Sequence, residues 1–125
     1  MRLLLLFTTL LVGLFTMAQN AVGIFTNHTD IGNPKLKGDA TYNETDQSYN
    51  LKAAGYNIWF GRDEFHYAWD KIKGDFILTA NFKMSGKGVD PHRKIGWMVR
   101  AGTGDDAAHM TATVHGDGMI ALQWR

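Results

Sequence analysis

The stretch 63-DEFHYAWDKIKGDF-76 decides how the rest of the chain is read. It crowds carboxylates, a histidine and large aromatics together, which suits an active site, and it equally suits a half-buried strand running into a tight turn. As a helix, Phe65, Trp69 and Ile72 would share a face at i, i+4 and i+7. As a strand, Phe65, Tyr67 and Trp69 share a face, and Glu64, His66, Ala68 and Asp70 point the other way. Aromatics at alternate positions favour the strand, with Lys73-Gly74-Asp75 turning the chain into 76-FILTANFKM-84. On that reading the aromatic row faces a core and His66 faces away from it. Asp63 and Glu64 lead into the strand, and Asp75 belongs to the turn.

The same alternation continues downstream. Phe76, Leu78, Ala80, Phe82 and Met84 share one face, and in 94-KIGWMVRA-101 Ile95, Trp97, Val99 and Ala101 do. In 109-HMTATVH-115 Met110, Ala112 and Val114 alternate with His109, Thr111, Thr113 and His115. In 119-MIALQWR-125 Ile120, Leu122 and Trp124 alternate with Ala121, Gln123 and Arg125. Gly-Asp punctuates these segments at Gly38-Asp39, Gly74-Asp75, Gly104-Asp105 and Gly116-Asp117, where glycine supplies positive φ and aspartate caps the turn. Period-two patterning broken by turn signals roughly every ten residues predicts an all-β fold, an antiparallel sandwich or barrel. Alternation runs on to Trp124-Arg125 with no turn or polar exit. The expected sandwich is therefore partial: further strands, or a partner, would close its sheet edge and core.

At the N-terminus Met1-Arg2 precedes an apolar run, LLLLFTTLLVGLFT, and then Met17-Ala18-Gln19. One positive charge, a short hydrophobic stretch and small residues at Thr16 and Ala18 predict a signal peptide over residues 1–18, leaving one domain over 19–125. The run is short of the ~20 residues of a membrane span, so no membrane insertion is expected after cleavage. Its removal takes Arg2 from the 13 basic residues, leaving 12 against 12 acidic ones. A formally neutral chain offers nucleic acid no bulk electrostatic attraction, so a partner must be recognised locally. Cysteine is absent. An exported domain without disulfides fits a bacterial periplasm or cell surface better than a eukaryotic extracellular module. Asn27-His28-Thr29 and Asn43-Glu44-Thr45 match the glycosylation pattern and are read as chance.

The order of these pieces, GYNIWFGRDEFHYAWDKIKGDF, a long alternating strand, HRKIGWMVRAG and HGDGMIALQWR, resembles the concanavalin-like jelly-roll domain of secreted bacterial proteins. Gly74-Asp75-Phe76 and the spacing Lys94-Gly96-Met98-Arg100 carry the likeness, which spans roughly residues 30–125. It implies a β-sandwich of the laminin-G or glucanase kind, often found beside TolB-like propellers or glycan-handling modules. Such a domain is expected to bind carbohydrate or an envelope protein. Two other readings stay open: part of a glycan-degrading enzyme whose catalytic residues lie beyond Arg125, and a structural module that orients a TolB-like propeller.

Strand parity sends His66, Arg100, His109, Thr111, Thr113, His115, Gln123 and Arg125 to the face opposite the apolar rows. A concave sheet would gather them into a groove where polar groups meet sugar hydroxyls and an aromatic stacks on the ring. The expected groove uses His66, Arg100, His115 and Gln123, with Trp59, beside Tyr56 and the Gly61-Arg62 turn, as the stacking surface. Catalytic residues are not expected. A glycosidase needs carboxylates about 5–9 Å apart. Asp63 and Glu64 point to opposite faces, and Glu64 and Asp70 stand roughly 20 Å apart along a strand. No cofactor is expected, and no metal spacing such as His-x-His or His-Glu-x-x-His occurs. His66, His92 and His115 could meet only through tertiary structure. Gly104-Asp105-Asp106 and Gly116-Asp117 offer oxygens to a structural calcium, although neither fits an EF-hand loop.

Overall fold

A computed structural model describes residues 21–125, so the signal peptide expected at 1–18 lies outside the described residues. These residues form no helix, and every strand pair is antiparallel. The nine strands are β1 (Asn27–Ile31), β2 (Asp39–Asn43), β3 (Ser48–Lys52), β4 (Ile58–Trp59), β5 (Arg62–Asp63), β6 (Phe65–Trp69), β7 (Lys94–Arg100), β8 (His109–His115) and β9 (Ile120–Trp124). They assemble as three two-stranded units, β1–β6, β2–β3 and β4–β5, and one meander, β7–β8–β9.

The turns are built as their chemistry dictates. Between β2 and β3, Asn43 and Asp46 accept backbone N–H bonds from Thr45 and Ser48 at 3.0 and 3.2 Å. Between β8 and β9, Asp117 caps Met119 N–H at 3.0 Å and Gly118 takes φ 91°. Of the Gly-Asp glycines expected at positive φ only Gly74 takes it, at 89°; Gly38, Gly104 and Gly116 do not. A Cβ at Gly38 would lie 2.3 Å from His66 Nδ1 and 2.6 Å from an Asp30 oxygen, so Gly38 is a close-approach glycine and Asp39 already opens β2.

The expected strand at 76–84 is not formed: Phe76–Met84 pairs with no strand among the described residues. Its alternation still has a use, because the Phe82 ring meets Trp97 edge-on at 6.1 Å. Trp97 in turn faces Phe25 at 6.5 Å, Phe25 meets Tyr49 at 5.3 Å and Tyr49 lies 4.6 Å from Tyr42. This chain of rings links the β2–β3 hairpin to the meander. Few apolar side chains among the described residues are buried, namely Val22, Ile31 and Ala40.

Register shows how the meander sorts its side chains. Ile95, Val114 and Ile120 align across the strands, as do Trp97, Ala112 and Leu122, and Val99, Met110 and Trp124. The opposite face carries Lys94 with His115, then Gly96, Thr113 and Ala121, then Met98, Thr111 and Gln123, then Arg100 and His109. The alternation therefore assigned each residue to its face correctly, but the apolar side is only partly covered, at Ile95, Trp97 and Val114, and the fully packed side is the polar one. Thr111, Thr113 and His115 are buried, whereas Val99, Met110, Ile120, Leu122 and Trp124 are exposed. The β4–β5 hairpin and its flanks lie over the polar face, and ion pairing makes that burial tolerable.

Candidate functional site

Two polar anchors hold the β4–β5 hairpin on the meander. At one end Asp63, fully buried, accepts from Arg100 Nη1 at 2.6 Å and from Arg125 Nη2 at 2.6 Å and Nη1 at 3.2 Å. His109 Nε2 stands 4.0 Å away. Burial pushes the Asp63 carboxyl up, but the hydrogen bonds and charges of Arg125 and Arg100 outweigh it and hold the group below the ordinary aspartate range. Burial pushes the His109 imidazole down, which the Asp63 charge only partly opposes. Arg100 also donates to the carbonyls of Gly102 and Gly104 and, at 3.5 Å, to the Met98 sulfur. Arg125 also donates to Phe60 O and, at 3.1 Å, to Ala107 O. At the other end Lys94 Nζ donates to Asn57 Oδ1 at 2.8 Å.

Between the anchors a cleft of about 380 Å³ opens, lined by Asn57, Ile58, Trp59, His92, Lys94, His115, Met119 and Gln123. Its mouth is Trp59, which is 52% exposed and meets Phe60 edge-on at 5.3 Å. Phe60 takes φ 52° in the tight turn Phe60–Gly61, a left-handed conformation that bulky residues avoid. That strain is held in place by Arg125 on the Phe60 carbonyl. On its outer side Trp59 borders a second, wider depression of about 590 Å³ with Tyr56, Phe60, Gly61 and Arg62. The Arg62 guanidinium lies over the Tyr56 ring at 4.7 Å.

The floor of the cleft is polar. His115 is buried, with Nδ1 3.2 Å from Met119 O, and its ring stands perpendicular to His92 at 6.1 Å. Lys94 has its pKa pushed down by burial, which the charge of Asp90 only partly offsets. Its ammonium carries three N–H donors and spends one on Asn57. No Asp or Glu is among the lining residues.

Of the five residues expected to form a groove, Trp59, His115 and Gln123 line this cleft together. The other two lie elsewhere. Arg100 is drawn beneath the hairpin, its side chain 1% exposed, because Asp63 neutralises it there. His66 is corrected in direction: it is buried instead of facing away, because β1 supplies partners on the same face. Asp30 sits directly opposite His66 in the ladder and His28 shares its side. His66 Nδ1–H donates to Asp30 Oδ1 at 2.8 Å, and its Nε2 lies 3.0 Å from His28 Nδ1. Gly38 N–H donates to both Asp30 oxygens at 3.0 and 3.1 Å. Burial raises the Asp30 pKa, but these bonds and the His66 and Lys37 charges together leave it below the ordinary value. The aromatics Phe65, Tyr67 and Trp69 are half-buried on the other face.

Asn57, Lys94 and His92 join the cleft without having been marked as groove residues from the sequence. Lys94 shares the parity of Arg100, which could have indicated it, whereas Asn57 and His92 lie outside the long strands and carry no such signal. Among the described residues no group of three or more His, Asp or Glu is placed to hold a metal ion. No family model matches the chain, and no curated protein or solved structure matches it either.

Proposed function

We propose that this chain is a secreted, non-catalytic β-sandwich module of the concanavalin-like jelly-roll kind that binds carbohydrate in the Trp59 cleft at a bacterial cell envelope. The observation that carries this reading is the pairing of one exposed indole with a polar floor. Sugar rings offer a weakly apolar face to an aromatic and a rim of hydroxyls to donors and acceptors. Trp59 provides the first surface, and Asn57, Gln123 and His115 provide groups of both hydrogen-bonding kinds. A lining without carboxylates supports binding over hydrolysis, since glycoside cleavage draws on a carboxylate pair.

A glycan array probed with the wild type and Trp59→Ala tests the proposal. The wild type is expected to retain a defined set of glycans, and the variant to lose about 5- to 30-fold in affinity, from a stacking contribution on the order of 1–2 kcal/mol. Trp59 is half exposed and joined to Arg62 only through a two-residue turn, so the variant's melting temperature is expected to stay close to wild type. Binding of no glycan by the wild type would remove the proposal.

A further inference from the structure

The cleft holds a cation that the hairpin anchors do not neutralise. Lys94 is half-buried at the first position of β7, makes no ion pair within 4.0 Å among the described residues, and leaves two N–H donors of its ammonium unspent. An ammonium withdrawn from water without a partner is unfavourable, and proteins normally supply a carboxylate or the group loses its charge. The other buried cation of the meander, Arg100, follows that rule through Asp63. Lys94 does not: its only protein acceptor is the neutral amide of Asn57. Asp90 influences it only at longer range, and Asp117, 3.8 Å from His92, sits on the β8–β9 turn outside the lining. Of the other polar groups at the floor, Gln123 offers an amide N–H donor to the cleft, whereas His115 turns its Nδ1–H to the Met119 carbonyl.

From the unpaired ammonium in a lining without carboxylates we infer that the cleft selects acidic sugars, with the carboxylate of a uronate residue accepting from Lys94 while its ring stacks on Trp59. The inference rests on the carbohydrate reading above and narrows it to one ligand class. A carboxylate there would supply the missing charge partner, and the neutral sugar of the same shape would leave Lys94 as it is. Discrimination should therefore follow from the acid group and not from ring shape.

Affinity electrophoresis of the full chain against polygalacturonate and alginate, each beside its carboxyl-reduced form, tests this. The wild type is expected to prefer at least one acidic polymer over its reduced counterpart by about 10- to 100-fold, the range of a charge-assisted hydrogen-bonded pair. Lys94→Gln should bring the two affinities together, and Lys94→Arg should keep them apart, with circular dichroism confirming that both variants are folded. Equal binding of acidic and reduced polymers overturns the inference and leaves the carbohydrate reading standing. So does a preference that survives Lys94→Gln, and so does binding confined to neutral glycans on the array. Binding of no glycan of any kind overturns both.

Discussion

Removing the carboxylate of Asp63 should cost a large part of the stability of this fold. Asp63 is fully buried and Arg100 is 1% exposed, so Asp63→Ala strands a guanidinium in the interior with the carbonyls of Gly102 and Gly104, the Met98 sulfur and the Phe65 ring as its remaining, uncharged partners. Breaking a buried pair from one side costs about 3–5 kcal/mol, most of it the desolvated charge left behind. Arg125 adds less. Its side chain is 26% exposed, water can replace the lost carboxylate, and the pair is discounted accordingly. Arg125→Ala, which leaves Asp63 still bound to Arg100, should cost about 1–2 kcal/mol. The expected order is thus Asp63→Ala at least equal to Arg100→Ala, and both well above Arg125→Ala. In urea denaturation, with a slope of about 1–3 kcal/mol per molar, the Asp63→Ala midpoint should fall by about 2 M. Since domains of this size hold only about 5–15 kcal/mol in total, Arg125→Ala is the variant that stays measurable if the others barely fold. A cost below about 1 kcal/mol for Asp63→Ala, or a larger cost for Arg125→Ala than for Arg100→Ala, would refute the reasoning.

Acid should destabilise the protein through two carboxylates, Asp63, which is fully buried, and Asp30, which is partly buried. Asp30 and Asp63 both have folded pKa values below the unfolded one, so their contribution is complete above about pH 4 and is lost as pH falls through the folded values. Urea midpoints measured from pH 6 down to pH 2 should decline, and Asp30→Asn should decline less steeply than wild type. Gly38→Ala is expected to cost about 1–3 kcal/mol, because its Cβ would meet the His66 ring and Asp30 together, and a lowered melting temperature would show it. Thr113→Val should be neutral or stabilising by up to about 1 kcal/mol, since the buried Thr113 hydroxyl has no hydrogen-bond partner to lose; a clear loss in calorimetry would contradict this.

The strands of the meander and β6 are readable from alternation because each is long enough for a period of two to repeat. The short polar strands β1, β2 and β3, with sequences such as NHTDI and DATYN, carry no apolar alternation, so only the pairing of the chain with itself reveals them. Phe76–Met84 shows the reverse: its alternation is complete and no strand pairs with it among the described residues. The cleft was partly legible. Parity placed His115 and Gln123 on one face, but the face that turns inward depends on Asp63, whose partners are 37 and 62 residues away. Asp63 and Asp30 looked like ordinary polar residues because the pairing of a carboxylate is decided by distant partners. The same holds for His66, which became an interior group through Asp30, 36 residues earlier.

The Asp63 node also bears on how the meander finds its alignment. Strand pairing is ambiguous when either face can be buried, because a slip of one residue exchanges all inward side chains for outward ones. The apolar side of β7–β8–β9 is a broad row of hydrophobes that would bury well in the slipped arrangement, so hydrophobicity alone does not specify which pairing is native. A slip would carry Arg100 and Arg125 away from Asp63 and leave an isolated carboxylate in the interior. The ion pairs therefore act as a key for register: they penalise the wrong alignment more than they favour the right one, and they oppose a hydrophobic preference that would otherwise turn the sheet over.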